Sequence, residues 1–250
     1  MLNVAARSAI VVVTASVALG LGACTVSAVP TSGPPAASSG SGGPSAASVA
    51  GLRYVALGDS YTIGTSVAMD ERFPDQLVAA LGPTEPTLTL VSNLAVNGYT
   101  SRDVIDLELP ALDALEPAFV TLLIGVNDVV RGIPPADYEA NVVTILDDLH
   151  GRLPPERIVV AAVPDYTVTP QGANFGDPLV QSAGIRASNA SMARLAAARD
   201  IKFVDVYDIS LRAIDDRTLV ADDGLHPSGA QYALWVERLL PVVSAAITGR

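Results

Sequence analysis

One serine, one aspartate and one histidine stand in settings that suit nucleophilic chemistry. Ser60 lies on a turn directly after an apolar run, where its hydroxyl can be presented at the edge of a sheet. Asp223 precedes His226 by three residues, and Pro227 follows. A carboxylate at that spacing can bond Nδ1 of the imidazole and leave Nε2 free as a base. Taken singly, each residue also fits a plain loop, because Gly-Asp-Ser is a common loop tripeptide and a histidine beside acids is usually solvated.

Two further segments could supply neutral hydrogen-bond donors. Asn127 follows another apolar run within Gly125-Val126-Asn127-Asp128, and its carboxamide is a good neutral donor. Asn97-Gly98 follows a third run, and the Gly98 amide could point into the same cleft. By itself each segment indicates only a turn, since Asn and Gly favour turns strongly.

Together the four segments resemble the sequence blocks of the SGNH (GDSL-type) hydrolase family, in the family's order. Gly58-Asp59-Ser60 is similar to the first block and Gly98 to the glycine of the second. Gly125-x-Asn127-Asp128 is similar to the third block, and Asp223-x-x-His226 to the fifth. The resemblance spans residues 54–236.

The resemblance implies an ester hydrolase with a catalytic triad, needing no cofactor and no metal. Ser60 would be the nucleophile, His226 the general base and then acid, and Asp223 the carboxylate that orients His226. The oxyanion donors would be the backbone N–H groups of Ser60 and Gly98 and the side chain of Asn127. This assignment agrees with the chemistry, because a serine hydroxyl is nearly inert at neutral pH without an adjacent base, and the tetrahedral intermediate needs preorganised donors.

Two rival hydrolase classes fit less well. An α/β-hydrolase needs Gly-x-Ser-x-Gly, and Thr62 stands where the second glycine would be. A metal hydrolase could use Asp222, Asp223 and His226 as ligands, but Ser60 and Asn127 would then have no role.

Neighbouring residues are expected to support the site. Asp59 and Asp128 are interpreted as residues that fix loops. Tyr61, where many family members have Leu, is expected to line the cleft. The long loop 164–178 is expected to build one wall. Ile63, Val67 and Met69 are also considered for the cleft, although ordinary packing fits most of them; if they line it, the cleft would suit a short or medium acyl chain.

Composition limits the partners. The chain has 250 residues, half of them hydrophobic, which is enough for a sizeable core. Acidic residues outnumber basic ones 26 to 15, so the net charge of −11 disfavours a nucleic-acid partner. The single cysteine rules out an internal disulfide in a monomeric chain. A monomer is expected.

Apolar runs alternate with amphipathic stretches from residue 51 onward. Runs of Val, Ile and Leu are typical of buried parallel strands, which are predicted at 52–57, 87–94, 118–124, 158–163 and 202–206. Helical spacing predicts helices over 73–81, 101–115, 136–149, 179–199 and 228–247. Pro110 is expected to kink or split the second helix and Pro241 to bend the last.

This alternation predicts an α/β fold, a three-layer α/β/α arrangement around a five-stranded parallel sheet. A flavodoxin-like strand order 2-1-3-4-5 is expected. In such sheets ligands bind beyond the carboxyl ends of the strands, at the switch point between the first and third strands. The segments after residues 57 and 124 are therefore where a site is expected.

The first fifty residues are predicted to contain a targeting signal followed by a flexible tether. Residues 1–23 have a basic start and an uncharged apolar run, which predicts a secretory signal peptide. Cys24 follows Leu21-Gly22-Ala23, which resembles a bacterial lipobox, so lipidation of Cys24 is predicted. Residues 24–50 are rich in Pro, Ser, Gly and Ala and are expected to be a tether. The hydrolase domain is predicted over 51–250, extracytoplasmic and held at the bacterial membrane by its lipid anchor, or secreted.

The function expected from the sequence is hydrolysis of small-molecule, glycan or lipid esters with short or medium acyl chains. Glycan O-acetyl groups and lipid esters suit a surface location. Two alternatives stay open. The chain could be a non-catalytic surface lipoprotein that binds a partner, or an acyltransferase that uses the same triad with an alcohol acceptor.

Overall fold

Five runs rich in Val, Ile and Leu form one sheet in the computed structural model, which describes residues 51–83 and 86–249. The strands are β1 (Leu52–Gly58), β2 (Leu88–Asn93), β3 (Phe119–Leu123), β4 (Ile158–Ala161) and β5 (Lys202–Val204). Their order is β2-β1-β3-β4-β5, and all neighbours are parallel. The predicted fold class and strand order are confirmed. The predicted signal peptide 1–23 and tether 24–50, with Cys24, lie outside the described residues.

Helices cover both faces of the sheet. The main helices are α1 (Ser60–Ile63), α2 (Phe73–Leu81), α3 (Ser101–Asp103), α4 (Leu109–Leu115), α5 (Val126–Val130), α6 (Pro135–Arg152), α7 (Pro178–Ala197), α8 (Tyr207–Leu211) and α9 (Gly229–Thr248). Among the described residues, no helix has the length and apolar character needed to cross a bilayer.

Alternating residues of β1 divide the core between the two faces. Tyr54 and Ala56 pack on the side of α2 and α9, where Trp235 is fully buried. Val55 and Leu57 pack on the other side, against α4 and α6. Every residue from Tyr54 to Gly58 is buried. This explains why the sequence of β1 is a continuous apolar run and does not alternate between apolar and polar residues.

The helix predicted over 101–115 contains a turn that the sequence did not reveal. Val104–Glu108 forms a π-helical turn between α3 and α4, in which the Leu109 N–H donates to the Val104 carbonyl. Pro110 follows at the start of α4 and has no N–H to place. The π turn thus lies where a kink or split was expected. The last helix, α9, runs through Pro241 as one element.

Candidate active site

Ser60 is positioned by the sharp turn at the end of β1. Gly58 has a φ of 146°, and a Cβ there would lie 2.2 Å from the Leu123 carbonyl oxygen, so only glycine fits. Asp59 caps α1 by accepting the Tyr61 N–H at 3.0 Å. Ser60 is therefore the first residue of a helix, at the carboxyl edge of the sheet, and 7% of its surface is exposed.

Asp223 and His226 form a tight pair on one turn. Asp223 Oδ2 lies 2.6 Å from Nδ1 of His226, while Asp223 Oδ1 accepts the backbone N–H groups of Leu225 and His226 at 2.8 and 3.0 Å. Partial burial works to raise the pKa of Asp223, but these hydrogen bonds outweigh it and hold the pKa at about 2. The carboxylate is thus ionised at neutral pH and favours the His226 tautomer that carries its proton on Nδ1.

A third contact of Asp223 was not predicted from the sequence. The Ser66 hydroxyl donates to Asp223 Oδ2 at 2.8 Å, although the two residues are 157 positions apart. Ser66 has a φ of 66°, in the left-handed region that non-glycine residues rarely adopt. The positive φ is what distinguishes Ser66 from the other serines that the structure describes, and it cannot be predicted from the sequence.

Ser60 and His226 line one small cleft of about 60 Å³. The His226 ring lies 5.4 Å from the ring of Tyr61, measured between centroids, and Tyr61 also lines the cleft. Among the described residues, no hydrogen bond joins the Ser60 hydroxyl to His226. Such bonds are often long before substrate binds.

Asn127 enters the same cleft from α5, which follows β3. One N–H of its carboxamide donates to the Tyr99 carbonyl at 2.8 Å, which fixes the orientation of the amide and leaves the second N–H available. Its neighbour Asp128 is buried and accepts both the backbone N–H and the hydroxyl of Ser101, at 2.9 and 2.5 Å. Asp128 therefore ties α5, which carries Asn127, to the start of α3.

Gly98 lies on the loop between β2 and α3 with a φ of 83°. Arg131 donates to the Gly98 carbonyl at 2.6 Å and so links this loop to the end of α5. Within residues 51–83 and 86–249, neither the Gly98 N–H nor the Ser60 N–H donates a hydrogen bond to another protein group. Both amides are free to donate to a ligand.

The remaining walls of the cleft are apolar. They comprise Tyr61, Val126, Val130, Tyr166, Phe175 and Leu225. Tyr166 and Phe175 belong to the long loop after β4, as expected, and their rings meet edge to face with centroids 5.8 Å apart. Of the apolar residues early in the chain that were considered for the cleft, Tyr61 lines it, whereas Met69 is exposed to solvent.

Two buried carboxyl groups lie behind the nucleophile segment. Burial raises the pKa of both Asp59 and Glu108 well above the ordinary range of carboxyl groups. Glu108 was not predicted as a site residue. A signal existed, because Glu108 falls four residues from both Val104 and Leu112, on the stripe of the helix that faces the core.

Two of the three residues considered as metal ligands, Asp223 and His226, lie on one turn. Asp223 and His226 bond each other, as described above. In the described part of the chain, no group of three or more His, Cys, Asp or Glu side chains is arranged to hold a metal ion.

Comparison with known proteins identifies the family. The model of the GDSL-like lipase/acylhydrolase family matches residues 56–234. An arylesterase of Vibrio mimicus is 31% identical over 98 residues, which are 39% of this chain and 48% of that protein. The chain thus matches about half the length of this curated relative.

Solved structures share the fold. A lipolytic protein of the G-D-S-L family from Veillonella parvula aligns with a TM-score of 0.61 and 18% identity, covering 77% of this chain and 98% of that chain. An acetylxylan esterase from Geobacillus stearothermophilus aligns with a TM-score of 0.59 and 19% identity, covering 77% and 94%. The family match over most of the folded region carries the assignment. The chain belongs to the GDSL-like lipase/acylhydrolase family.

Proposed function

We propose that this protein hydrolyses carboxylic esters through an acyl-enzyme formed on Ser60. One observation carries the proposal: Ser60, Asn127 and His226 line one cleft, and Asp223 holds the Nδ1 side of His226. This leaves Nε2 of His226 as the base that faces the cleft.

In the first half-reaction, Nε2 of His226 accepts the proton of the Ser60 hydroxyl as Oγ bonds to the acyl carbon. The carbonyl oxygen becomes an oxyanion and accepts hydrogen bonds from the Ser60 N–H, the Gly98 N–H and the free N–H of Asn127. The intermediate collapses when the bond to the alcohol oxygen breaks, and His226 returns its proton to that oxygen. Water then attacks the acyl-enzyme by the same route and releases the acid.

The cleft favours a short acyl group. Its volume of about 60 Å³ and its walls from Val126, Val130 and Phe175 leave room for little more than a small apolar chain. The name of one similar protein, an acetylxylan esterase, agrees with a short acyl group. We infer that acetyl and other short acyl esters, such as those on envelope glycans or small lipids, are the substrates.

We propose the location from the composition of residues 1–50. A lipid on Cys24 would anchor the protein at the outer face of the bacterial membrane, with residues 24–50 as the spacer. Metabolic labelling with a fatty-acid probe is expected to mark the full chain and to leave a Cys24→Ala variant unlabelled. Labelling that persists in the variant would contradict lipidation at Cys24.

A series of p-nitrophenyl esters from acetate to dodecanoate, given to the full chain, tests the activity. We expect the highest kcat/KM with the shortest acyl groups, and a loss of at least about 10³-fold in kcat for Ser60→Ala. Ser188→Ala, a half-buried serine on α7 outside the cleft, serves as the matched control. Activity that survives Ser60→Ala would overturn the nucleophile assignment. An inactive wild type that also fails to react with a fluorophosphonate at Ser60 would instead favour a binding role.

A further inference from the structure

Glu108 reaches the nucleophile segment from a distant helix. The π turn Val104–Glu108 adds one residue to the helical turn and ends with the Glu108 side chain 2% exposed. Its Oε2 accepts the Gly58 N–H at 3.0 Å, two residues before Ser60. Such turns are rare and often occur at functional sites.

A second buried carboxyl group belongs to the same segment. Asp59 is fully buried, and its Oδ1 accepts the Tyr61 N–H at 3.0 Å. Oε1 of Glu108 and Oδ2 of Asp59 are both buried without a hydrogen-bond partner. An unsatisfied buried oxygen is costly, so two of them on neighbouring groups call for an explanation.

The groups that interact electrostatically with the two carboxyls are Asp103, Asp128, Tyr61, Tyr138 and Tyr232. In the part of the chain that the structure describes, no ion pair joins Asp59 or Glu108 to an arginine, a lysine or a histidine.

Two adjacent ionised carboxylates without a cation are strongly disfavoured in a buried site. Both carboxyls bind the same short segment, Glu108 at the Gly58 N–H and Asp59 at the Tyr61 N–H, and the charge of Asp59 raises the pKa of Glu108. If one of them keeps its proton, its O–H needs an acceptor. The unpartnered oxygen of the other carboxyl is suited to that role.

We propose that Glu108 is a positioning residue for the reaction: with Asp59 it forms a carboxyl pair that holds one proton and fixes the Gly58–Tyr61 segment from which Ser60 acts. This inference rests on the proposed role of Ser60 as the nucleophile. Glu108 acts through the Gly58 N–H and Asp59, and it does not touch the substrate.

The pair is expected to limit the activity at alkaline pH. When the shared proton is lost, two like charges face each other under the nucleophile turn, and the turn that aims Ser60 and its N–H loosens. Burial raises the pKa of Tyr61, Tyr138 and Tyr232 above the ordinary value of 10, so these phenols stay neutral over the same range. We therefore expect kcat to fall near pH 8, where the pair loses its last proton.

Three variants test the proposal. Glu108→Gln keeps an oxygen for the Gly58 N–H and gives an amide N–H to Asp59, so it imitates the protonated form permanently. Glu108→Ala removes both contacts. Asp106→Asn removes an exposed carboxylate from the same π turn and is the matched control.

The first readout is the pH profile of kcat, followed with p-nitrophenyl acetate at the isosbestic wavelength of the product. We expect Glu108→Gln to keep kcat at pH 7 within about threefold and to lose the fall near pH 8. Glu108→Ala should lose at least about tenfold in kcat at pH 7 with a smaller change in KM. A Glu108→Gln profile that falls where the wild type falls would overturn the proposal.

The second readout needs no activity, so it separates this proposal from the assignment of Ser60. A carboxyl whose pKa is raised by folding costs stability as pH rises from the unfolded pKa, about 4.3, to the folded one. The Tm of Glu108→Gln should therefore rise relative to the wild type between about pH 5 and pH 8. A Tm difference that stays constant over this range would overturn the shared proton even if no ester is hydrolysed.

Discussion

Nδ1 of His226 lies 2.6 Å from Oδ2 of Asp223, and the other oxygen of that carboxylate binds the backbone of the same turn. The turn itself is closed by the Ala221 N–H, which donates to the His226 carbonyl at 2.8 Å. Asp223 thus holds both the ring of His226 and the loop that carries it. The two functions can be separated by changing the charge of Asp223 while keeping its shape.

Asp223→Asn should lower kcat by about 10³- to 10⁴-fold, because an amide at this position favours the wrong tautomer of His226. Its carbonyl oxygen can still accept the backbone N–H groups, so the loop should keep its shape, and the fall in Tm at neutral pH should reflect only the lost carboxylate charge. Steady-state kinetics and thermal unfolding measure the two effects. Asp222→Asn, an exposed neighbour, is the control and should behave as the wild type. Nearly normal kcat in Asp223→Asn would refute the orienting role.

The same carboxylate contributes to stability at acid pH. Its pKa is about 2 in the folded chain and about 3.9 in an unfolded one, so its stabilising contribution is present above pH 4. It is lost as pH falls through about 2. Asp223→Asn lacks this contribution, and the stability gap between wild type and variant should close between about pH 4 and pH 2. Denaturant titrations at several pH values measure the gap, and a gap that widens toward acid would contradict the assignment.

Asn127→Ala should lower kcat by about 10²- to 10³-fold with little change in KM, because the carboxamide binds the oxyanion of the transition state. Asn174→Ala, an exposed residue of the loop after β4, is the control. If KM rises while kcat is unchanged, Asn127 binds the ground state instead, and its place in the oxyanion hole is wrong.

Gly98→Ala tests whether the backbone of Gly98 contributes to catalysis. The positive φ of 83° should cost about 1–2 kcal/mol of unfolding free energy with alanine. Any shift of the loop also moves the Gly98 N–H, so kcat should fall about tenfold or more. Gly82→Ala also forces alanine into a positive φ, here 60°, in open space at the end of α2, and kcat should be unchanged. Equal kcat for both variants would count against a Gly98 donor.

Phe175 should limit the acyl chain. It lies over the cleft against Tyr166 and is 37% exposed. Phe175→Ala opens that wall, so the ratio of kcat/KM for hexanoate to that for acetate should rise by about tenfold. Leu179→Ala, which truncates a side chain that lies four positions after Phe175 and is 82% exposed, should leave the ratio unchanged. A ratio unaffected by Phe175→Ala would place the acyl group on another side of the cleft.

Local patterns in the sequence were sufficient to predict the strands of the sheet and the short segments that carry Ser60 and His226. Strands buried on both faces need continuous apolar runs, and parallel strands need helices between them, so the order of elements restricts the topology. The Asp223–His226 spacing and the turn after β1 are local as well. Their geometry depends on a few consecutive residues and on Gly58.

Contacts between distant segments were decided only by the tertiary structure. Ser66 reaches Asp223, and Glu108 reaches the Gly58 N–H, through packing that no short window of sequence contains. A small rotation of the helix can expose a charged residue on its apolar stripe to solvent. A π turn, which adds one residue to the helical turn, can instead bury that residue. At Glu108 the π turn favours burial, because the Gly58 N–H donates a hydrogen bond to the carboxyl group in place of water.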